Sequence, residues 1–457
     1  MDRYTRIIFK YIYMNIRYVS GIIFILLPLT LLSFCNSSEL PEKEELIIYF
    51  NEKASPLNDK SDLDELVELA GGRKLVLLGE ATHGTSDFYS WRAAISKRLI
   101  EEKGFSFIAV EGDFASIYRL NKYVKDLPGA AGSAREVVRE FDRWPQWMWA
   151  NEDVVKLAEW MREYNSNLSS GERVGFYGMD VYGQWQAMED LDTYAARYMP
   201  SYHGRIEDKL MCFAAHSDEF EYARSVARGG RSCRDELEGV VELLRSNSVR
   251  LREQDERAYF RAKQNAIVVK NAEEFYRLAV IDNNESWNSR AKHMWYTVQH
   301  IMDYRSPDGK GVVWAHNTHI GDSRATPMHT EGRVNIGYLS RDDKGIENVL
   351  SVGFGTYTGR VNAGTNWGSR MNIMEIPRGM EGSYENILGS VDMEQFYLIF
   401  DEEDRQHELL KDFRGHRAIG VVYSPAHESG NYVPTVLPER YDAFIFIRET
   451  EELKPVE

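Results

Sequence analysis

The chain has 457 residues, 43% of them hydrophobic and 28% charged, with a formal net charge of -16. That balance suits a folded globular protein and argues against extensive disorder. So acidic a chain excludes a polyanionic partner, and no nucleic acid is expected.

The N-terminus departs from this composition. Arg3, Arg6, Lys10 and Arg17 precede "VSGIIFILLPLTLLSF", sixteen residues without a charge, and then comes Cys35. A basic stretch, an apolar run of this length and a polar continuation read as an export signal over 1–35. The stretch "LLSFC" resembles a bacterial lipoprotein signal, with Leu32 three residues before Cys35, although Phe34 stands where a small residue is usual. A lipid on Cys35, a cleaved secreted form and an uncleaved anchor remain alternatives. The expected location is the bacterial cell envelope, exported and membrane-anchored through the N-terminus. "NSSELPEKEE" follows, and 36–47 is expected as a polar tether ahead of a domain spanning 48–457.

From Arg73 on, short apolar runs alternate with helical patterns. The expected strands are "KLVLLG" (74–79), "FSFIAVEG" (105–112), "RVGFYGMD" (173–180), "GVVWAHN" (311–317), "NVLSVGFG" (348–355), "FYLIF" (396–400), "AIGVVY" (418–423) and "AFIFI" (443–447). Several are continuously apolar, as strands covered on both faces are. The expected fold is therefore α/β, with a largely parallel central sheet flanked by helices. Residues 185 to 305 break the alternation: they are long, charged and helical, with Leu237, Val240, Val241 and Leu244 on one face. Such an insertion is expected to cover the cleft at one end of the sheet. It holds Cys212 and Cys233, which in an oxidising compartment either pair or remain separate buried thiols.

Ionisable residues gather where the expected strands end. Glu80 and His83 follow "KLVLL", Glu111 ends "FIAV", Asp180 follows "VGFYGM", and His316 and His319 lie on and just beyond "GVVWAHNTHIGD". Arg92 shares the inward face of the first helix with Phe88, Ile95 and Leu99; Thr85 or Ser86 can cap that helix. A buried guanidinium needs a partner, so a structural ion pair is the plainer account of Arg92. Taken together, carboxylates, imidazoles and an arginine at the carboxyl ends of four strands mark the crevice where open α/β sheets bind ligands.

The kit suits water attack on an ester: a His as base, a carboxylate to hold its tautomer, and cationic donors for an oxyanion. No G-x-S-x-G elbow and no Cys with a nearby His signature occurs, which argues against a covalent acyl-enzyme. Zinc is the competing reading, with His83, His316 and His319 as ligands and Glu80 and Glu111 also eligible, but the helical H-E-x-x-H is missing. A surface binding protein without catalysis is the third alternative.

"LLGEATHGTSDFYSWR", "IAVEGDF", "WPQWMWANEDVVKLAEWMREYN", "FYGMDVYG", "VVWAHNTHIGD", "IGYLSR" and "AIGVVYSP" resemble the erythromycin esterase family, in order, from about Leu66 to the C-terminus. The resemblance implies an α/β core with a helical insertion, a cleft able to admit a macrolactone, and hydrolysis by His-activated water without a metal or other cofactor. It implies that His83 is the general base, oriented with its water by Glu80 and Glu111, while Arg92 and His316 face the developing oxyanion; the share of His319 stays open. The substrate is expected to be a small-molecule ester, cyclic or bulky, with Asp180 and Trp147 contacting it. Trp144, Trp147 and Trp149 either line that cleft or pack the core. An ester linked to the envelope is the alternative substrate.

Overall fold

The computed structural model describes residues 39–216, 218–305 and 309–456. The expected export signal and Cys35 lie outside the described residues. Among the described residues no helix is long and apolar enough to cross a membrane.

The expected tether is partly folded. Helix α1 (Glu39–Lys53) runs through it, and Leu46 and Phe50 are fully buried in the core. An apolar pair four residues apart on one helical face outweighs the acidic surroundings in "EKEELIIYF".

Eleven described strands follow: β1 (Ser55–Pro56), β2 (Leu75–Leu78), β3 (Phe105–Asp113), β4 (Gly175–Asp180), β5 (Lys310–Trp314), β6 (Val349–Gly364), β7 (Met371–Ile376), β8 (Gln395–Ile399), β9 (Arg414–Arg417), β10 (Tyr432–Thr435) and β11 (Ala443–Thr450). Nine form one sheet in the order β1-β8-β11-β6-β2-β5-β3-β4, with β7 pairing to β6. From β11 to β4 the neighbours are parallel; β1, β8 and β7 join antiparallel. The central strands are buried on both faces, β2 throughout as Leu75, Val76, Leu77 and Leu78, which is why their sequences are continuously apolar. β5 slots between β2 and β3, so the carboxyl ends of β2, β5, β3 and β4 stand side by side. Seven expected strands are found. β7 was missed because Met371–Ile376 is largely exposed and lacks an apolar run.

The run 418–423 is not a strand. β9 ends just before it and pairs only with β10. Ile419 instead donates its N–H to Ala81 O, and Tyr423 donates to Gly364 O, so the segment lies across the ends of β2 and β6. Its isolated bridges to Thr82 and Gly364 replace a continuous ladder.

Helix α2 (Ser86–Lys103) buries Phe88, Ile95 and Leu99 and stops at Gly104, whose φ of 73° suits glycine. Thr85 is its N-cap residue by position, but its hydroxyl pairs with that of Thr82 and does not cap. Helices α3 (Phe114–Val124) and α4 (Glu152–Ser166) follow. The insertion comprises six described helices: α5 (Gln184–Tyr198), α6 (His203–Ala214), α7 (Glu219–Ala227), α8 (Arg234–Ser246), α9 (Ser248–Ala279) and α10 (Asn283–Arg305). Leu237, Val240 and Leu244 are buried as expected, whereas Val241 is half-buried. Cys212 and Cys233 form a disulfide that joins the end of α6 to the start of α8.

Candidate active site

β2 delivers its residues through a tight exit. A Cβ at Gly79 would lie 2.1 Å from Asn317 Oδ1, so only glycine leaves room for the buried Asn317 side chain here. Glu80 is fully buried and accepts from two sides. His83 Nδ1 donates to its Oε1 at 2.8 Å and Arg92 Nη2 to its Oε2 at 2.6 Å. A carboxylate only accepts, so the Glu80 contact fixes the proton on Nδ1 and leaves Nε2 of His83 as the lone-pair nitrogen. Burial works against charge on His83, but the Glu80 hydrogen bond and the Glu111 and Glu80 charges outweigh it and raise its pKa above the ordinary value.

Arg92 does not reach the cavity. It is fully buried behind Glu80, with its guanidinium 4.3 Å from the Tyr89 ring centre and 4.7 Å from that of Trp314. The expected oxyanion contact is thus corrected: Arg92 touches Glu80 and two aromatic faces. The ion-pair account of its inward position is the one the contacts follow.

β3 and β4 deliver Glu111 and Asp180 to a single guanidinium. Arg290, on α10, donates Nη2 to Glu111 Oε1 at 2.7 Å and clasps Asp180 with Nε at 2.9 Å and Nη2 at 2.7 Å. Its Nη1 lies 3.1 Å from His319 Nε2. Glu111 Oε2 accepts the His316 backbone N–H at 2.9 Å. Burial would raise the Glu111 pKa, but His319, Arg290 and His83 together hold it well below the ordinary carboxylate range. Asp180 is likewise held low, chiefly by Arg290 against burial.

His316 and His319 flank a short turn after β5. The His316 ring sits 4.8 Å from that of His83. Its Nδ1 accepts the Thr318 N–H at 3.2 Å, and its Nε2 lies 3.3 Å from Ala81 O, so Nε2 carries the proton. Burial and the neighbouring His83 push its pKa well below the ordinary value, and it is neutral. His319 stacks on Trp287 with ring centres 4.8 Å apart and has Nε2 3.2 Å from Glu111 Oε1.

These strand ends enclose an open cavity of about 390 Å³. His83, Glu111, Asp180, His316 and His319 line it; Glu80 and Arg92 stand behind. Of the tryptophans, Trp149 is on the wall, with Nε1 donating to Glu111 O at 3.0 Å. Trp147 is buried in the core and does not line the cavity, correcting its expected substrate contact: its ring joins the cluster that includes Trp149, Val154 and Val155. Trp144 packs on Trp367, which does line it.

Sequence reasoning missed Arg290, Trp287, Asp113, Arg143 and Trp367. Arg290 carries the signal that singled out Arg92, a charge on a helix face with buried Met294 and Ile301. Of the insertion, only α10 contributes to the cavity wall among the described residues, through Trp287 and Arg290. Among the described residues no group of three His, Cys, Asp or Glu side chains is placed to hold a metal ion. As arranged, both ring nitrogens of His316 are engaged, and His319 Nε2 faces Arg290.

Comparison with known proteins bears on this cavity. The profile of the family described as "Erythromycin esterase" matches residues 100–450. Erythromycin esterase type II of Escherichia coli is 22% identical over 383 residues, covering 76% of this chain and 85% of that protein. Among solved structures, one described as a succinoglycan biosynthesis protein superposes with a TM-score of 0.73 at 20% identity, covering 90% of this chain and 98% of that one. A mutant erythromycin esterase in its open conformation superposes with a TM-score of 0.64 at 18% identity, covering 87% and 96%. At these identities the two structures establish the fold.

Proposed function

The chain belongs to the erythromycin esterase family of hydrolases, and from that premise we propose that it hydrolyses a cyclic or bulky carboxylic ester, of macrolide-lactone type, with His83 as general base. The observation that carries this is the Arg92–Glu80–His83 line, which pins the proton on Nδ1 and turns a basic nitrogen of a cavity-lining ring away from its partners. Nε2 takes a proton from water as its oxygen bonds to the ester carbon. The tetrahedral intermediate then expels the alkoxide, which recovers the proton from Nε2. Glu80 keeps the Nδ1 proton throughout and balances the transient imidazolium. Arg290, on the wall beside His319, directs its donors to Asp180, Glu111 and His319 and in this reading holds those groups in place around the reacting ester.

No acyl-enzyme is invoked. Ser116 and Thr318 are wall hydroxyls, and neither is hydrogen-bonded to His83 among the described contacts. We also propose export and a membrane tether at the N-terminus; the disulfide supports an oxidising compartment.

Mass spectrometry of a macrolide and of simpler lactones incubated with chelator-treated protein, beside His83→Ala, tests the reading. The expected result is a gain of one water that is absent in the variant. Turnover only after zinc is restored would favour a metal-dependent hydrolase, and binding without turnover a surface binding protein.

A further inference from the structure

The cavity wall holds a second guanidinium, and its bonding differs from that of Arg290. Every nitrogen of Arg290 faces a partner: Asp180, Glu111 or His319. Arg143 sits with its guanidinium 4.1 Å from the centre of the Tyr182 ring. Its one described polar contact is Nη1 to Asp113 Oδ1 at 3.5 Å, the outer limit of a hydrogen bond. A guanidinium with an aromatic ring against one face is held flat and keeps its edge donors in a fixed fork. The Arg143 side chain lines the cavity and is 31% exposed.

Asp113 is the carboxyl nearest this edge. Burial first, then the charges of Asp180 and Asp142, raise its pKa against the pull of Arg143, so it is a poor permanent counter-ion. The other charged or titratable groups that bear on Arg143 are Asp180, committed to Arg290, and the hydroxyls of Tyr182 and Tyr276. Trp149, Trp367 and Phe141 on the neighbouring wall add apolar surface. A planar fork with one long protein contact in an aromatic-walled cavity matches a carboxylate, whose two oxygens accept two parallel N–H bonds.

We propose that Arg143 determines specificity by receiving a carboxylate carried by the substrate, at a distance from the ester that His83 attacks. Among the cyclic or bulky esters of that reading, the preferred substrates are therefore acidic ones, lactones or esters that carry a free carboxylate away from the bond that is cleaved. This rests on the esterase reading above.

The test uses para-nitrophenyl esters of matched chain length: hexanoate (neutral), adipate half ester (anionic) and ε-aminocaproate (cationic). For the full chain, kcat/KM for the anionic ester should exceed that for the neutral one by about tenfold or more, the scale of one charge-assisted contact, mainly through KM. Arg143→Gln should bring that ratio close to one, and Arg143→Lys should leave it in between. Comparing ratios within each variant removes any loss of folded protein. Equal rates on the anionic and neutral esters would overturn the proposal while leaving the esterase reading intact. So would a preference for the cationic ester that survives Arg143→Gln, which would give the wall to Asp113.

Should none of these linear esters turn over, the esterase reading still stands or falls on the macrolide and lactone assay above. Calorimetric titration with adipate then decides the proposal: binding lost in Arg143→Gln sustains it, and no binding to the unaltered protein overturns it.

Discussion

The two sides of the cavity use an arginine in opposite ways. At the end of β2, Arg92, Glu80 and His83 form a line with Glu80 bonded on either side, to Arg92 and to His83. Beneath β3 and β4, Arg290 is a centre on which Asp180, Glu111 and His319 converge. A line directs its effect to one end, here the Nε2 of His83. A centre fixes several groups relative to one another and transmits nothing preferentially. Rate should therefore be sensitive to the line, and cohesion of the site to the centre.

The sharpest break in that contrast is at the end of the line. His83→Ala should lower kcat by about a hundred- to ten-thousand-fold, the usual contribution of a general base, with little change in Tm. Turnover at the unaltered rate would remove His83 as base.

Arg290→Gln attacks the centre and should behave differently. It leaves Glu111 and Asp180 buried without their cation, which costs about 3–5 kcal/mol of stability when one partner of a buried pair is removed. Thermal unfolding would show this, and an unchanged Tm would mean the carboxylates find other partners. The pH dependence carries a sign as well. Both carboxyls have folded pKa values below their ordinary ones, so their stabilisation is present above the ordinary carboxylate range and is lost as pH falls through the folded values. Without Arg290 that loss should begin at higher pH.

Glu80→Gln separates charge from geometry within the line. His83 must be neutral to accept a proton, so kcat/KM should fall on the acid side through a pKa raised above the ordinary histidine value. Glutamine keeps a hydrogen-bond acceptor but not the charge, and the acid limb should move to lower pH. A limb that stays in place would assign it to another group.

The same contrast explains what the sequence disclosed. Line residues lie close together in the chain: Glu80 and His83 share a strand exit, and Arg92 stands one turn beyond Phe88 on an otherwise apolar face. Local periodicity reports such arrangements directly. The centre is assembled from β3, β4, β5 and α10, with 110 residues separating Asp180 from Arg290. Strand ends could be placed from apolar runs, so Glu111, Asp180, His316 and His319 were found. Their shared cation was not, because nothing local ties α10 to the sheet. Trp147 and Trp149 show the finer limit: two residues apart in one short turn, one packs in the core and the other faces the cavity. The stretch 418–423 failed for a related reason. Its apolar run is real, but its backbone is satisfied by loop residues around Ala81 and Gly364.

The smallest expected effect belongs to Arg92→Lys, and it decides between two accounts of that residue. Were Arg92 an oxyanion donor, its loss would lower kcat by about a hundred- to a thousand-fold. In the structure its single described hydrogen bond goes to Glu80 Oε2, while Nε and Nη1 are buried with no described hydrogen-bond partner between the Tyr89 and Trp314 rings. Lysine keeps a positive charge for Glu80 and gives up the planar contact with both rings. The expected cost is about 0.5–2 kcal/mol of stability, the range of a cation–π contact, with kcat within about tenfold of the unaltered protein and the acid limb of the pH profile hardly moved. Steady-state kinetics beside thermal unfolding reads both quantities. A Tm near that of the unaltered protein with kcat down by two orders or more would place Arg92 at the reacting carbonyl after all, through a rearrangement on substrate binding, and the line would then act at both of its ends.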